Sequence, residues 1–371
     1  MAQSFDVCIR GAGIVGRTLA LLLARERLRV GLVAAPAPAA AAAGDVRAYA
    51  LNAASRQLLE ALRSWPDEVH ATAVQAMQVW GDDGGVVHFN AVEQGAPALA
   101  WIVDVPALEA RLTEAVRYQP LVEVLDAPQP ATLSVVCEGK ASSTRAEWGV
   151  DFDVSPYPQR AIATRLSCEL PHGQVARQWF AQGQILAFLP LDGAQGNSVA
   201  VVWSVDEKQA PQLLALDPES FARRLEDASH QALGRLSLMG ERAAWPLQLA
   251  CADRWSGVSA GQSWVLAGDA AHTVHPLAGQ GLNLGLADAA ELARVLHQRD
   301  WRAVNDARLL RRYERARKTG VLPMGLATDG LQQLFARSAR PWQVLRNWGM
   351  KGFEHSGPLK TWTARQAMGL H

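Results

Sequence analysis

Gly11-Ala12-Gly13-Ile14-Val15-Gly16 lies between an apolar run, Phe5-Asp6-Val7-Cys8-Ile9, and a helix-like run, Thr18-Leu19-Ala20-Leu21-Leu22-Leu23-Ala24. Strand, turn and helix in that order are the context a dinucleotide-binding fingerprint requires. Each glycine has a physical task. Gly11 permits the tight turn, Gly13 lets the backbone approach a pyrophosphate, and Gly16 lets helix and strand pack closely. The helix then aims its free amides and positive end at the anion. A second apolar strand, Arg29 to Ala34, completes a parallel β-α-β unit.

Far along the chain stands a second glycine-rich stretch, Gly268-Asp269-Ala270-Ala271-His272-Thr273-Val274-His275-Pro276-Leu277-Ala278-Gly279-Gln280-Gly281. It follows a short apolar strand, Ser263 to Ala267, and precedes a helical run from Leu282 to Arg299. An Asp just past a strand accepts hydrogen bonds from polyol hydroxyls, and Gly279 to Gly281 admits backbone amides to a ligand at the helix start. A reduced flavin is negative near its pyrimidine ring, and the positive end of a helix favours that charge by roughly 0.3–1 kcal/mol. The two stretches together imply one long bound cofactor.

Composition narrows the function classes. Lys plus Arg and Asp plus Glu both number 36, so the 371-residue chain carries no net charge, which argues against a nucleic-acid binder. Cys8, Cys137, Cys168 and Cys251 are scattered without a Cys-x-x-Cys pair, so neither a disulfide framework nor a zinc site is expected. No run reaches the ~18 apolar residues of a membrane span, and the start has no basic region before an apolar core. A cytoplasmic protein is expected, at most peripherally bound to a membrane. Asp269, His272 and His275 spell Asp-x-x-His-x-x-His, but the expectation is a hydrogen-bonded loop and no metal. Gly257-Val258-Ser259-Ala260-Gly261 fits a hydrolase nucleophile elbow, yet its strand follows the motif instead of preceding it.

Several further elements can be placed. Leu51 to Leu62 and Leu108 to Val116 have helical spacing, and residues 35 to 44 form a low-complexity Ala/Pro loop. Met77 to Trp80 and Val86 to Phe89, split by Gly81-Asp82-Asp83-Gly84-Gly85, form a hairpin. Ala161 to Leu166, Ile185 to Leu191 and Ser198 to Ser204 are expected strands of a second, mostly antiparallel sheet.

The two glycine-rich stretches, Asp45-Val46-Arg47-Ala48-Tyr49-Ala50-Leu51-Asn52, Asn283, Asp288 and the C-terminal Tyr313-Glu314-Arg315 and Thr328-Asp329-Gly330-Leu331 carry a resemblance over nearly the whole chain. It closely resembles the flavoprotein aromatic hydroxylases of ubiquinone biosynthesis. The resemblance implies an α/β fold: a Rossmann-like FAD-binding domain of the glutathione-reductase-like hydroxylase type, an inserted, mostly antiparallel β-sheet substrate domain and a helical C-terminal region. The FAD-binding domain would take residues 1–65, 101–155 and 259–300, the substrate domain 66–100 and 156–258, and the helical region 301–371. It also implies a monooxygenase in which NAD(P)H reduces FAD and a flavin hydroperoxide, formed with O2, hydroxylates a phenolic, lipid-like substrate. Gly11, Ala12, Gly13, Ile14 and Gly16 would cradle the pyrophosphate, with Arg47 near the phosphates and flavin. Glu138 and Gly139 would belong to the segment serving FAD and nicotinamide. Gly268 and Asp269 would sit at the ribityl chain, and Pro276, Gly279, Gln280, Gly281, Leu282 and Asn283 beside the isoalloxazine. No side chain is nominated as catalytic base.

Departures from the family pattern matter as well. Ala34 and Ala35 stand where an acid should bind the adenosine ribose, Glu138 replaces an Asp, and Arg10 puts a charge at the end of the first strand. Its expected partner is a phosphate, Asp45 or Glu138. Phe188 to Leu191 and Val199 to Trp203 offer apolar surface that suits either a prenylated phenol or an ordinary core. From Gly330 to His371 six basic residues oppose only Glu354 and alternate with tryptophans, which suits a bilayer face as well as a helical cap. The alternative to an enzyme is an inactive relative that scaffolds other quinone-biosynthesis proteins or carries a lipid precursor. The missing ribose acid yields a first prediction. A hydrogen bond to a charged group contributes roughly 1.5–3 kcal/mol, so FAD should bind about ten- to a hundredfold more weakly and the protein should purify substoichiometric in flavin. The ratio of flavin to protein absorbance, before and after soaking in FAD, measures this; a full complement on purification contradicts it.

Overall fold

Phe5–Arg10 is buried on both faces, with Val7, Cys8 and Ile9 wholly inaccessible, as a central strand of a parallel sheet must be. A computed structural model of the chain describes residues 4–34, 45–81, 84–274 and 280–336, with side chains as far as Val321. In it Phe5–Arg10 pairs in parallel with Val30–Val33 on one side and Ala131–Val136 on the other. The sheet runs Ser256–Ser259, Gln262–Leu266, Ala131–Val136, Phe5–Arg10, Val30–Val33, Val122–Leu125. The chain therefore re-enters this layer at Gln262–Leu266, in parallel with Ala131–Val136, as the apolar run there suggests. Helices Ile14–Arg25, Val105–Arg117 and Gln280–His297 bury their apolar faces against the sheet and one another, in one core with Leu19, Leu23, Leu108, Leu112, Leu286 and Leu292.

Among the described residues the second sheet has nine strands and is antiparallel but for one pair. Its centre is Phe152–Cys168, Ser198–Asp206 and Gln184–Pro190, each neighbour antiparallel, which are the three expected strands, two of them extended and the one at Ile185 to Leu191 shifted by one residue. Ala76–Trp80 joins it in parallel with Val175–Ala181 and pairs with Val86–Asn90 as the expected hairpin. Helix Pro218–Ala228 covers the face bearing Phe188, Val201 and Trp203 with Phe221 and Leu225.

Four local features refine this picture. Ala48–Leu51, Ala100–Asp104 and Ala71–Val74 form a small separate sheet, so Ala71–Val74 does not belong to the large antiparallel one. The helix expected from Leu51 begins at Ala53, because Leu51 pairs with Trp101 and the Asn52 side chain accepts from the Ser55 amide as N-cap. Ser256–Ser259 pairs with Gln262–Leu266. Ala260 and Gly261 both have positive φ, 48° and 80°, the geometry of a two-residue hairpin turn. That hairpin leaves Ser259 on a strand with no helix behind it. His272–Thr273 adds to the antiparallel sheet beside Ala250 and Cys251.

Two glycines are fixed by space. Gly11 has φ +108°, and a Cβ there would lie 2.4 Å from the Cys137 carbonyl oxygen; one on Gly16 would lie 1.9 Å from the Gly11 carbonyl oxygen. The first helix can sit this close to the strand only without side chains. Gly16→Ala should cost roughly 1–3 kcal/mol, as overpacking does. Thermal unfolding measures it, and a melting temperature equal to the parent's would refute the packing argument.

Candidate functional site

The two glycine-rich stretches meet at Val15. A Cβ on Gly285 would lie 2.8 Å from Val15 Cγ2 and 3.4 Å from the Gly268 Cα, and one on Gly268 would touch Val15 at 3.4 Å. The start of the first helix thus rests against the turn after Gln262–Leu266 and the first turns of Gln280–His297. Pro276 and Gly279 lie outside the described residues.

At the first helix start Gly13 is the N-cap, with no side chain capping the helix amides, and a Cβ there would meet nothing within 4 Å. Open space beside uncapped amides suits a pyrophosphate oxygen. Ala12 and Ile14 flank it, Ile14 with its side chain buried in the core. Arg17, one turn on, adds positive charge, its pKa lowered by burial and partly restored by Glu109. Gly281 is equally open on its Cβ side, at the start of Gln280–His297; Gln280 is buried and Leu282 packs on the core. The residues present therefore fit a long dinucleotide laid from one helix start to the other.

Asp288 holds the second loop in place. Its carboxylate is wholly buried and accepts from the Gly268 amide at 2.8 Å, from His272 Nε2 at 2.7 Å and from Arg317 Nε at 2.6 Å. Burial alone would raise its pKa, but His272 and Arg317 outweigh this and lower it. His272, in the short strand that joins the antiparallel sheet, stacks on Trp255 and is fixed by its hydrogen bond to Asp288. Gly268, with φ +63°, makes the turn that presents Asp269 to solvent. Surrounding protein raises the Asp269 carboxyl, desolvation first, while His272 and Lys140 oppose it.

Arg47 is placed near this centre but is not a free cation. It binds Asp45 through Nε and Nη2, at 2.6 Å for the closest contact. Burial would raise the Asp45 carboxyl; the hydrogen bonds from Arg47 hold it below its ordinary value. Tyr49 lies in electrostatic reach of both Arg47 and Asp269, so the three share one neighbourhood. Asp45 is thereby committed to Arg47 and is no free substitute for the missing ribose acid.

Glu138 caps its own turn, accepting from Ser142 Oγ at 2.7 Å and from Thr144 Oγ1 at 2.6 Å. Gly139 follows at φ +78° with open space beside it. Arg10 reaches neither Asp45 nor Glu138 directly. It donates to Thr144 Oγ1 at 3.1 Å and lies over the Trp148 ring at 5.2 Å, so Thr144 relays it to Glu138. The Asn283 side chain is a clamp: it donates to the Ala50 carbonyl at 2.8 Å and accepts from the Asn52 amide and Ser55 Oγ at 3.0 and 2.8 Å. That consumes its amide, leaving its backbone alone to face a ligand. Two contributors escape sequence reading. Arg145 is buried over Phe152 and donates to the Ala270 and Lys140 carbonyls, and Arg165 joins Asp104 to the Asp45–Arg47 backbone. Arg165 signals itself only as a lone arginine in a mostly apolar strand, and Arg145, in the short helix Ser143–Glu147, gives no signal at all.

Comparison with known proteins accords with this geometry. Residues 130–321 match the family of FAD binding domains. The chain is 32% identical over 393 residues to the ubiquinone hydroxylase UbiL of Rhodospirillum rubrum, covering 98% of this chain and 89% of that one. It is 30% identical over 406 residues to the 3-demethoxyubiquinol 3-hydroxylase of Escherichia coli, covering 99% of each. Among solved structures, p-nitrophenol 4-monooxygenase PnpA of Pseudomonas putida superposes with a TM-score of 0.76 at 20% identity, over 99% of this chain and 97% of that one. HpxO of Klebsiella pneumoniae, complexed with FAD, gives 0.74 at 15% identity over 98% of each. The fold and the two loops define an FAD-dependent monooxygenase. Within that class the chain belongs to the ubiquinone-biosynthesis hydroxylase family.

The Asp288 network can be tested by titration. Breaking one partner out of a buried ion pair costs roughly 3–5 kcal/mol, so Asp288→Asn should lower the melting temperature markedly at neutral pH. Because the folded-state pKa of Asp288 is depressed, its stabilisation is present above the unfolded value of about 3.9 and is lost as pH falls through the folded one. The gap between parent and variant should therefore narrow on acidification. A gap independent of pH excludes the ionic account.

Proposed function

We propose that this protein hydroxylates the phenolic ring of a prenylated ubiquinone precursor. One oxygen atom of O2 enters the ring, the other leaves as water, and NAD(P)H supplies the electron pair that balances the reaction. The observation that supports the reading is the junction at Val15, where the helix that starts after Gly13, with its uncapped amides, packs against Gly268 and Gly285 of the second glycine-rich segment. FAD, bound there, supplies the electron transfer and the oxygen activation that no side chain can. Gly11, Gly13 and Gly16 take its pyrophosphate, Asp269 its polyol chain, and the backbone at Gln280–Leu282 its ring. The division into a flavin-binding part around the parallel sheet and a substrate-binding part around the antiparallel one follows from the same reading.

The large sheet contributes the substrate wall through one face only. Phe188, Val201 and Trp203 point at helix Pro218–Ala228 and belong to the core. Ala187, Leu189 and Val202 alternate with them, are half-buried, and share the face of Arg165, whose guanidinium reaches the Arg47 loop. We infer that this apolar strip excludes water from the flavin and orients a ring with a prenyl tail. A scaffold or carrier would have no use for an open pyrophosphate cradle. Among the described residues no helix is long and apolar enough to cross a membrane. The basic, tryptophan-bearing stretch of residues 330–371, which suits a bilayer face as well as a helical cap, lies outside the residues whose side chains are described.

The test is NAD(P)H oxidation with excess FAD, with and without a prenylphenol, followed by mass analysis under labelled O2. Stimulated oxidation and one labelled oxygen in the ring are expected. A protein that never turns yellow at any flavin concentration, or turnover indifferent to the phenol, would falsify the reading.

A further inference from the structure

Charge in this neutral chain is segregated. Residues 294–318, which run from the end of helix Gln280–His297 into helix Ala307–Ala336, contain nine arginines and lysines against Asp300, Asp306 and Glu314. The rest of the chain is correspondingly acidic. Several cations in this stretch are spoken for: Arg302 pairs with Asp306, Lys318 with Glu314, Arg294 with Glu291, and Arg317 with Asp288. Arg299, Arg308, Arg311, Arg312 and Arg315 have no acidic partner among the described residues. Arg308, Arg311 and Arg315 follow one another at helical spacing on the exposed side, opposite the buried Leu310 and Tyr313, and with Glu314 and Lys318 line a cavity of about 510 Å³. Like charges three and four residues apart on a helix repel. An uncompensated row of them is a cost in isolation and a gain beside a negative surface.

Two apolar groups accompany the row. Trp301, in the turn between the two helices, is 87% exposed, with the Arg302 guanidinium 5.1 Å from its ring centre. Arg312 reaches Gln298, which sets the row next to that turn. On its other flank the Ser256–Gln262 hairpin is tied to the helix by Ser256 Oγ donating to Glu314 at 2.7 Å, and its uncharged tip exposes Val258 at 65%. Indole and aliphatic side chains projecting beside arginines match the chemistry of a bilayer surface, where cations meet anionic headgroups and indole sits at headgroup level.

We propose that this face, formed by Arg299, Trp301, Arg308, Arg311, Arg312 and Arg315 with the Val258 hairpin tip, docks on an anionic phospholipid surface. The proposal does not depend on the hydroxylase reading, because binding is measured without substrate or turnover. The full-length protein, reconstituted with FAD, is mixed with vesicles of phosphatidylcholine alone or with phosphatidylglycerol. It should co-sediment with the anionic vesicles, be released by salt, and show Trp301 fluorescence quenched by brominated lipid. Each basic residue near such a surface contributes about fivefold to partitioning, so changing Arg308, Arg311 and Arg315 together to Gln should weaken binding by on the order of a hundredfold. Trp301→Phe should bind with the brominated-lipid quenching diminished. Both variants should keep the parent's melting temperature and NAD(P)H oxidation. Equal binding to neutral and anionic vesicles, binding unchanged in the triple variant, or retention on heparin or RNA without retention on vesicles would overturn the proposal.

Discussion

A single buried carboxylate organises the cofactor side of this molecule. Asp288 has no contact with solvent, and taking an isolated carboxylate out of water costs several kcal/mol. The cost is offset only because three donors converge on it from three segments: the Gly268 amide, His272 and Arg317. Those donors belong to the turn after Gln262–Leu266, the short strand that joins the antiparallel sheet, and the C-terminal helix. Holding the Gly268 turn to Gln280–His297 is what lets Val15 lodge against Gly268 and Gly285. Without that contact the two glycine-rich stretches would be neighbours in no sense that matters for a ligand.

The demand for small residues at this junction explains why so much was legible in the sequence. Gly11 and Gly16 are excluded from carrying a Cβ by backbone atoms, a constraint of the chain itself that survives in any one-dimensional reading. Strands buried on both faces, such as Phe5–Arg10, advertise themselves by continuous apolarity. The small sheet of Ala48–Leu51, Ala71–Val74 and Ala100–Asp104 does not: its strands are short, and their pairing is set by distant partners. The Ser256–Ser259 strand was hidden because Ala260 adopts the positive φ usually reserved for Gly or Asn. Side-chain roles were the least legible. Asn283 belongs to a glycine-rich run that faces a ligand, yet its amide is consumed by Ala50, Asn52 and Ser55, and nothing local distinguishes a clamp from a ligand-binding residue.

Electrostatics around the cradle follow a different logic from the motif. Arg47 and Asp45 are bound to each other while still reached by solvent, so their mutual attraction is modest and either can be drawn toward a stronger partner. A pyrophosphate is such a partner for Arg47, which would share its guanidinium between the phosphate and Asp45. The pair therefore keeps a cation at hand without leaving an uncompensated charge beside Tyr49 and Asp269. It does not supply what the second strand lacks. With Ala34 at its end and Asp45 held by arginine, the binding proposed here would rest on the phosphates and the flavin end more than on the adenosine ribose.

Arg165 connects that shift to the rest of the fold. Its guanidinium grips both oxygens of Asp104 and donates to the Val46 and Arg47 carbonyls, so one side chain from the large sheet fixes the small sheet and the Arg47 loop together. The same face of that sheet carries Ala187, Leu189 and Val202, the strip assigned to substrate. A displacement of the strip would consequently be felt at Arg47 through a rigid, charge-assisted link, whereas the Rossmann-like layer is held separately by Asp288. The strip proposed for substrate and Arg47 thus form one mechanical unit, and the Gly268–Gly285 junction held by Asp288 forms another; a dinucleotide bound as proposed would span both.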